Sequence, residues 1–394
     1  MTDQRTHIVV IGGGYAGTLA ANHLRLRADV DITMVNPRPV FVERIRLHQL
    51  AAGSGSAAVD YGTLLGEGIR LIVDSAERIN STDRTIELTS GAVLDYDYLI
   101  YAVGSTGIVP AAVPGAVEFA YPIAEFEHAA RLRGALDELH PDAPVVVVGA
   151  GLTGIETASE LAGQRRVTLV CGGVLGPSLS RAGRRSVAKW LRRLGVDVLE
   201  TAVVREVRSD AVVLDASLSA GAVLPSALTV WTAGFGVPEL AARSGLSTDP
   251  LGRLLTDETL TSVDDPRIVA AGDASAPSGQ PLRMSCQAAG PLGVQAANTV
   301  LSRIAGTKPA PLSQAFVGQC ISLGRSYGTL QLSRTDDTPV NAVLGGRVTA
   351  SIKEAICKAT VWSIRREAAK PGSYFWLKGG KRPEELASDA VAVP

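Results

Sequence analysis

The sequence has 394 residues, and because single domains rarely exceed ~250 residues it predicts two or three domains. Hydrophobic residues at 46%, charged residues at 20% and a formal net charge of −1 are typical of a soluble globular protein with no overall attraction to nucleic acid. The apolar runs, such as 145–148, fall far short of the ~20 residues that cross a bilayer, so no membrane-spanning helix is expected.

The N-terminal segment leads almost directly into a strand-like run, His7 to Ile11. It lacks the basic start and the long apolar stretch of a secretory signal, which predicts a cytoplasmic protein.

The first motif is a glycine-rich turn, Gly12-Gly-Gly-Tyr-Ala-Gly17, between that run and a segment of helical composition, 18–27. In such a turn the first glycine permits the tight bend, the second lets the backbone approach a pyrophosphate, and the third lets helix and strand pack closely. The next apolar run, 30–35, completes a βαβ unit and ends on Asn36, where an acidic residue usually binds a ribose. The neutral Asn36 amide is expected to make one such hydrogen bond.

A second turn of the same type, Gly149-Ala-Gly-Leu-Thr-Gly154, follows the apolar run 144–148 and opens a predicted helix, 155–162. The strand after it, 167–170, ends on Cys171, where a site selective for NAD usually carries Asp or Glu. A carboxylate there would repel the 2′-phosphate of NADPH. Because it is absent, both NADH and NADPH remain candidates for this site. Two turns in the same context predict two dinucleotide sites.

Three arginines follow the second turn: Arg181, Arg184 and Arg185. They either pair with a 2′-phosphate or form a solvated basic helix face.

The four cysteines are widely spaced and form no Cys-x-x-Cys pair, the pattern of redox disulfides and most zinc sites: Cys171, Cys286, Cys320 and Cys357. The five histidines are equally scattered: His7, His23, His48, His128 and His140. The sequence therefore predicts reduced thiols, no metal site and no electron transfer through a disulfide.

Three further segments are Tyr96-Asp-Tyr-Leu-Ile-Tyr-Ala-Val-Gly-Ser105, Val230-Trp-Thr-Ala-Gly234 and Arg267-Ile-Val-Ala-Ala-Gly-Asp273. With the glycine turns, they give a sequence that resembles the FAD-dependent pyridine nucleotide oxidoreductases, in the branch of type II NADH dehydrogenases and apoptosis-inducing-factor-like oxidoreductases. The first two segments look like the strands that return into the FAD domain of that family. The resemblance implies that Asp273 holds a ribityl hydroxyl of FAD.

The resemblance assigns FAD to the first turn and NADH or NADPH to the second. The expected FAD contacts are Gly12, Gly14, Tyr15, Ala16, Gly17, Asn36, Gly104 and Asp273. The expected nicotinamide-dinucleotide contacts are Gly149, Gly151, Thr153, Gly154, Cys171 and Gly234. Glu156 is the expected catalytic group that handles a proton or orients the nicotinamide; the alternative is a first-turn acid that complements the helix dipole.

A second family signature bears on the identity of the electron acceptor. Type II NADH dehydrogenases carry Ala-Gln-x-Ala-x-Gln-x-Gly on the quinone side of the flavin, and Cys286-Gln-Ala-Ala-Gly-Pro-Leu-Gly293 resembles it, with Pro291 in place of the second glutamine. The helix expected from 287 to 300 would direct its positive end at the flavin. Gln287 is thus the second expected catalytic residue, and a quinone the first choice of acceptor. The alternatives are a reductase of a protein electron carrier such as ferredoxin, and a redox-sensing protein whose NADH–flavin complex signals.

After about residue 312, strand-like runs 316–323 and 328–332 and a helix-like segment 349–369 resemble the family's small C-terminal domain. Basic and aromatic residues mix there: Lys353, Lys358, Trp362, Arg365, Arg366, Lys370, Tyr374, Phe375, Trp376, Lys378, Lys381 and Arg382. Ile352, Ile356 and Ala359 form an apolar stripe, which would pack against the flavin domain or against a partner in a homodimer. In the alternative, the stripe and the basic residues would bind an anionic membrane surface, at the inner face of the membrane. Residues 387–394 are expected to form an untethered tail.

The expected fold class is α/β, with two Rossmann-like dinucleotide-binding domains, the second inserted into the first, and a small α+β C-terminal domain. The boundaries are 1–112 and 252–312 for the FAD-binding domain, 113–251 for the NAD(P)H-binding domain and 313–394 for the C-terminal domain.

Overall fold

The computed structural model describes residues 5–215 and 222–380, together with 382, 384 and 386. Lys381 and the predicted tail, 387–394, lie outside the described residues. The α-helices in the described chain are α1 (Tyr15–Leu24), α2 (Leu47–Ala52), α3 (Ala116–Phe119), α4 (Phe126–Glu138), α5 (Leu152–Leu161), α6 (Arg181–Arg193), α7 (Leu240–Arg243), α8 (Cys286–Ile304) and α9 (Arg347–Ala369).

The first large sheet is parallel and consists of β1 (Thr6–Ile11), β2 (Val30–Asn36), β5 (Ile69–Val73), β9 (Tyr98–Tyr101) and β21 (Ile268–Ala270). The order of these strands across the sheet is β21-β9-β1-β2-β5. Along β1, Ile8 and Val10 face a core shared with α1 and α8, whereas Val9 and Ile11 face a second core on the other side of the sheet. Burial on both faces explains why the strand is an unbroken apolar run.

The second large sheet is also parallel and consists of β11 (Ala120–Pro122), β12 (Pro144–Val148), β13 (Arg166–Val170), β14 (Asp197–Leu199) and β18 (Leu228–Trp231). The order of these strands across the sheet is β11-β18-β12-β13-β14. A short antiparallel pair, β10 (Thr106–Gly107) with β19 (Phe235–Gly236), joins the two connections that lead into and out of this part of the chain. The expected α/β class with parallel sheets is confirmed.

Smaller sheets flank the two large ones. Their strands are β3 (Val40–Val42), β4 (Ala58–Asp60), β6 (Ala76–Asn80), β7 (Thr85–Leu88), β8 (Val93–Asp95), β15 (Val204–Val207), β16 (Ala211–Leu214), β17 (Val223–Pro225), β20 (Leu254–Thr256) and β22 (Ser275–Pro277).

The C-terminal part is an antiparallel sheet of β23 (Gly318–Leu323), β24 (Tyr327–Ser333) and β25 (Pro339–Gly346), followed by α9. The sequence predicted the first two strands and the helix but missed β25. This strand lies at the sheet edge, begins with proline and ends with two glycines, so its sequence lacks the alternation of a half-buried strand.

The face of α9 that packs inward differs from the predicted stripe. Its buried residues include Cys357, Val361 and Ile364, whereas Ile356 is 40% exposed and Ala359 is also exposed. The prediction that the stripe packs against the flavin domain is therefore wrong for these two residues. Among the described helices, none is both long enough and apolar enough to cross a membrane.

Candidate dinucleotide and redox site

The first glycine turn is built so that side chains would obstruct it at two positions. Gly12 has a φ of +100°, and a Cβ there would lie 2.2 Å from the carbonyl oxygen of Ala102. A Cβ on Gly17 would lie 1.8 Å from the carbonyl oxygen of Gly12, so this glycine lets α1 pack against the turn. A Cβ on Gly14 would instead meet nothing within 4 Å. The open side at Gly14, just before α1, leaves room for a pyrophosphate at the positive end of the helix.

The second turn repeats this geometry. Gly149 has a φ of +109°, and a Cβ on Gly154 would lie 1.7 Å from the carbonyl oxygen of Gly149. Gly151, which precedes the first residue of α5, again faces open space. Thr153 and Gly234 line a common small cleft beside this turn, which brings together two residues predicted for the nicotinamide site.

Asn36 lies beside the first turn and supports its backbone. Its Oδ1 accepts from the N–H of Gly13 at 2.9 Å, and its Nδ2 donates to the carbonyl oxygen of Arg38 at 2.7 Å. Tyr61, which the sequence analysis missed, donates its hydroxyl to the carbonyl oxygen of Gly13 at 2.6 Å. The ribose contact of Asn36 stays a prediction, and its structural role is to hold the turn.

Asp273 ends a chain of polar contacts that the sequence analysis found only in part. Ser105 donates its hydroxyl to Asp273 Oδ2 at 2.6 Å, and Arg44 donates to the Oγ and carbonyl oxygen of Ser105 at 2.8 and 2.7 Å. Asp273 Oδ1 has no hydrogen-bond partner in the described part of the chain. This oxygen is available to a ligand hydroxyl. Gly104, next to Ser105, has a φ of +74°, a conformation that favours glycine.

Tyr15 provides a further observation on the ligand. Its hydroxyl is buried near Thr360 but makes no hydrogen bond of normal geometry among the described residues, and its ring packs edge-on against Phe41 with the ring centroids 5.1 Å apart. Burial raises its pKa well above the ordinary value. An orphaned buried hydroxyl, the open cradle at Gly14 and the available carboxylate oxygen of Asp273 together fit an extended dinucleotide such as FAD.

Glu156 lies in the first turns of α5 and is buried rather than solvated. Its Oε1 lies 2.9 Å from Lys353 Nζ on α9 and accepts from the N–H of Ser322 on β23 at 2.8 Å. Its Oε2 lies 3.9 Å from Nδ1 of His48, and Lys353 also donates to the carbonyl oxygen of Cys320 at 2.9 Å. Glu156 is thus the centre of a buried charged cluster.

The charges of this cluster are set by the balance between burial and pairing. Burial by itself raises the pKa of Glu156, but Lys353 and His48 outweigh it and the pKa lies below the ordinary value. Burial likewise disfavours the charged form of Lys353, yet Glu156 raises its pKa. Burial lowers the pKa of His48 to about 4, against the attraction of Glu156. At neutral pH the pair is ionised and His48 is neutral, with its Nε2 buried and unpartnered among the described residues.

A cavity of about 560 Å³ reaches this cluster from the surface. Its lining includes Ser322 and Lys353, which both contact Glu156, and Lys358, whose side chain is 73% exposed. Arg325 and Arg347 add two guanidinium groups to its wall. The cavity therefore connects the Glu156–Lys353 pair with solvent.

Gln287 holds the C-terminal sheet in place. With its amide oriented to satisfy both atoms, it donates to the carbonyl oxygen of Gly318 and accepts from the N–H of Val317, both at 3.1 Å. The expected contact with a quinone stays a prediction.

Pro291, the departure from the quinone signature, lies inside α8 and cannot donate to the carbonyl oxygen of Gln287. Nε2 of Gln314 donates to that oxygen instead, at 3.3 Å. Gly293, which the signature retains, is required for packing, because a Cβ there would lie 2.2 Å from the carbonyl oxygen of Ala16 on α1.

The four cysteines are free thiols. Burial raises the pKa of Cys320 and of Cys357 to about 11, and Lys353 offsets part of this rise. Such thiols are protonated at neutral pH and are poor nucleophiles. In the described ranges, no group of three or more His, Cys, Asp or Glu side chains is placed to hold a metal ion.

Cys171 lies at the carboxyl end of β13, as predicted. Its N–H donates to the carbonyl oxygen of Leu199 at 2.9 Å, and burial together with Glu200 raises the pKa of its thiol to about 12.

The parallel sheets and the two glycine turns are typical of Rossmann-type oxidoreductases. The chain belongs to the pyridine nucleotide-disulphide oxidoreductase family, whose model matches residues 6–293. It is 32% identical to an NADH dehydrogenase-like protein of Mycobacterium tuberculosis over 75% of this chain and 80% of that protein.

Two other comparisons point the same way. The type II NADH:quinone oxidoreductase of Mycobacterium tuberculosis is 27% identical over 78% of this chain and 74% of its own length. The structure of NDH2 from Plasmodium falciparum in complex with NADH superposes with a TM-score of 0.78 at 17% identity, covering 92% of this chain and 97% of the other. The family inferred from the sequence is confirmed.

Proposed function

We propose that this chain is an FAD-dependent oxidoreductase that transfers a hydride from NAD(P)H to the flavin and passes the electrons to a quinone. The observation that carries the proposal is the pair of glycine turns with the same open cradle, one at Gly14 and one at Gly151. The family and the NADH:quinone oxidoreductase relative support it. The domain division is part of the proposal: 1–112 and 252–312 hold FAD, 113–251 hold the nicotinamide dinucleotide, and 313–394 form the acceptor or interface domain.

FAD, when bound, supplies the hydride chemistry, and the chain binds and orients it. The turn from Gly12 to Gly17 would hold the pyrophosphate, and Asp273 Oδ1 would accept a hydrogen bond from a hydroxyl of the ribityl chain. Arg44 and Ser105 fix the other carboxylate oxygen of Asp273 so that Oδ1 keeps its direction. The N-terminus of α8, capped by the hydroxyl of Ser285, would direct its positive end at the flavin.

Reduction of a quinone to a quinol by NAD(P)H consumes one proton in addition to the hydride, and in this proposal that proton comes from solvent. The cavity lined by Lys353 and Ser322 brings solvent next to the Glu156–Lys353 pair. Glu156 is in this proposal the residue that orients the nicotinamide, because its carboxylate stays ionised beside Lys353 at neutral pH.

We further propose a peripheral contact with an anionic membrane surface, where a lipid-soluble quinone is found. Trp362 and Phe375 are 58% and 80% exposed, and Leu377 is 50% exposed. Arg366 lies over the ring of Trp362, 5.3 Å from its centroid. Exposed aromatic and apolar side chains with adjacent cations are typical of surfaces that sit in the lipid headgroup region. Co-sedimentation with anionic vesicles should occur for the wild type and be lost in a Trp362→Ser, Phe375→Ser double variant that keeps its flavin spectrum; retained binding would refute the contact.

The function is tested with the purified protein under anaerobic conditions. Its visible spectrum should show an oxidised flavin, which NADH or NADPH bleaches and a water-soluble quinone restores. Absence of the flavin spectrum, or no bleaching by either nucleotide, would refute the proposal. If oxidised ferredoxin but not a quinone restored the colour, the proposed hydride transfer would stand, and a protein electron carrier would replace the quinone as the proposed acceptor.

A further inference from the structure

Cys171 leaves the second dinucleotide turn without the acid that usually binds the adenosine ribose, but an acid from the neighbouring strand lies beside it. Glu200 directly follows β14, which pairs with β13 in parallel, so Glu200 and Cys171 leave the sheet at the same edge. This is the edge at which open α/β sheets bind their ligands.

The side chain of Glu200 is directed toward the loop that follows Cys171. Its Oε1 accepts from the N–H of Leu175 at 2.7 Å. The next residue, Gly176, donates its N–H to the carbonyl oxygen of Ala150, which lies inside the glycine turn, at 3.0 Å. Glu200 is therefore linked to the pyrophosphate-binding turn through two adjacent residues of one loop.

The backbone around Glu200 is held in a costly conformation. Thr201 has a φ of +62°, an arrangement that β-branched residues rarely adopt. Its N–H donates to the carbonyl oxygen of Gly173 at 2.8 Å, which ties the segment after β14 to the loop after β13. Backbone strain of this kind collects at ligand-binding sites.

The charge at this edge is negative. Glu200 is exposed and keeps Oε2 free of hydrogen bonds in the described part of the chain. Three arginines were the sequence-based candidates for binding a 2′-phosphate: Arg181, Arg184 and Arg185. They are located on α6, whose N-terminus contacts the C-terminal sheet through a hydrogen bond of 2.7 Å between Ser180 Oγ and Gln331 Oε1. No contact of these arginines with Glu200 or Cys171 is present in the described residues.

We propose that Glu200 replaces the missing acid at Cys171, accepts hydrogen bonds from the adenosine ribose hydroxyls, and makes the site selective for NADH over NADPH. This inference rests on the proposed nicotinamide site at the second turn. A carboxylate gains a charge-assisted hydrogen bond from the 2′-hydroxyl of NADH and repels the 2′-phosphate of NADPH. Both effects come from Glu200, and both favour the binding of NADH over that of NADPH.

The test measures equilibrium binding of NAD⁺ and NADP⁺ to the flavin-loaded protein and to two variants. Glu200→Gln keeps Oε1 as the acceptor for Leu175, so the loop is preserved while the charge is lost. Glu206→Gln is the matched control, because Glu206 is a partly exposed acid of β15 paired with Arg208. The wild type and the control should bind NAD⁺ at least roughly tenfold more tightly than NADP⁺, and Glu200→Gln should reduce that ratio roughly tenfold or more.

A ratio near one in the wild type, or an unchanged ratio in Glu200→Gln, overturns the inference. Bleaching of the flavin by NADH, recorded on the same samples, separates it from the proposed function. If NADH bleaches the flavin normally but the NAD⁺/NADP⁺ affinity ratio is the same in Glu200→Gln as in the wild type, only the proposed role of Glu200 is refuted. If the affinity ratio depends on Glu200 but NADH does not bleach the flavin, only the proposed hydride transfer is refuted. If the protein binds neither nucleotide, both the role of Glu200 and the proposed function are refuted.

Discussion

At the scale of single residues, the site is organised by a buried ion pair whose two members are far apart in sequence. The motif Gly154-Ile-Glu156 identified the acid from the sequence. Its partner, Lys353, was seen only as one of many basic residues near the C-terminus. Nothing local in the sequence distinguishes it, because the pairing is created when α9 packs beside β23 and brings Lys353 within 2.9 Å of Glu156.

Removing the cation should therefore be costly. Lys353→Met leaves the buried carboxylate of Glu156 uncompensated, and we expect the free energy of unfolding to fall by about 3–5 kcal/mol. The pKa of Glu156 should rise, so the rate of quinone reduction should become more dependent on pH near neutrality. Lys358→Met on the same helix, where the side chain is 73% exposed, should change stability by less than about 0.5 kcal/mol. Denaturant unfolding compares the two, and equal stability losses would contradict the ion-pair account.

His48 should make the protein sensitive to mild acid. Its pKa is lowered to about 4 in the folded chain, below the ordinary value of 6.5, so the unfolded chain binds more protons between these values. Its contribution to stability is present above pH 6.5 and is lost as the pH falls toward 4. Between pH 7 and pH 5 the free energy of unfolding should therefore fall by about 2 kcal/mol because of this residue. Unfolding measured at both pH values should show a smaller difference for His48→Asn; an identical difference would argue against a buried neutral imidazole.

At the scale of elements, the close packing of α1 on α8 brings both helices to the first dinucleotide turn. The sequence predicted both helices correctly, because apolar strands and glycine turns give strong local signals. It assigned Gly293 to a quinone signature, however, whereas the structure shows a contact between two helix backbones. The inward face of α9 was also missed, since Glu367 on that face is fully buried and binds His23 at 2.7 Å rather than contributing an apolar side chain. Local sequence patterns do not report such tertiary contacts.

The α1–α8 contact can be tested with two glycines in helices. Gly293→Ala places a Cβ 2.2 Å from the carbonyl oxygen of Ala16, and we expect a loss of about 1–3 kcal/mol and a lower flavin content. Gly134→Ala on α4 meets nothing within 4 Å and should instead stabilise the protein by about 0.5–1 kcal/mol. Thermal unfolding with a flavin absorbance readout distinguishes the two. If Gly293→Ala behaved like Gly134→Ala, the helices would not be in backbone contact.

At the scale of the whole molecule, α9 connects regions that are remote in sequence. Arg46, which precedes α2, forms a double hydrogen bond with Glu354 on α9 at 3.0 Å, and Glu367 near the end of α9 binds His23 on α1. The C-terminal segment thus holds α1, the residue before α2 and, through Lys353, the Glu156 cluster. The sequence predicted two strands and the helix of this segment, but its contacts with remote parts of the chain were not predictable from local patterns.

The central claim is that the two glycine turns bind two different dinucleotides with separate tasks. It is tested most directly by the anaerobic reduction of bound flavin by NADH in Gly151→Val. The new side chain fills the cradle of the second turn, where a Cβ meets no protein atom within 4 Å, so the fold and the first turn remain intact. We predict a normal flavin content and spectrum, but bleaching that requires at least roughly tenfold more NADH than the wild type. Bleaching at the wild-type NADH concentration, or loss of the flavin with the fold preserved, would contradict the account.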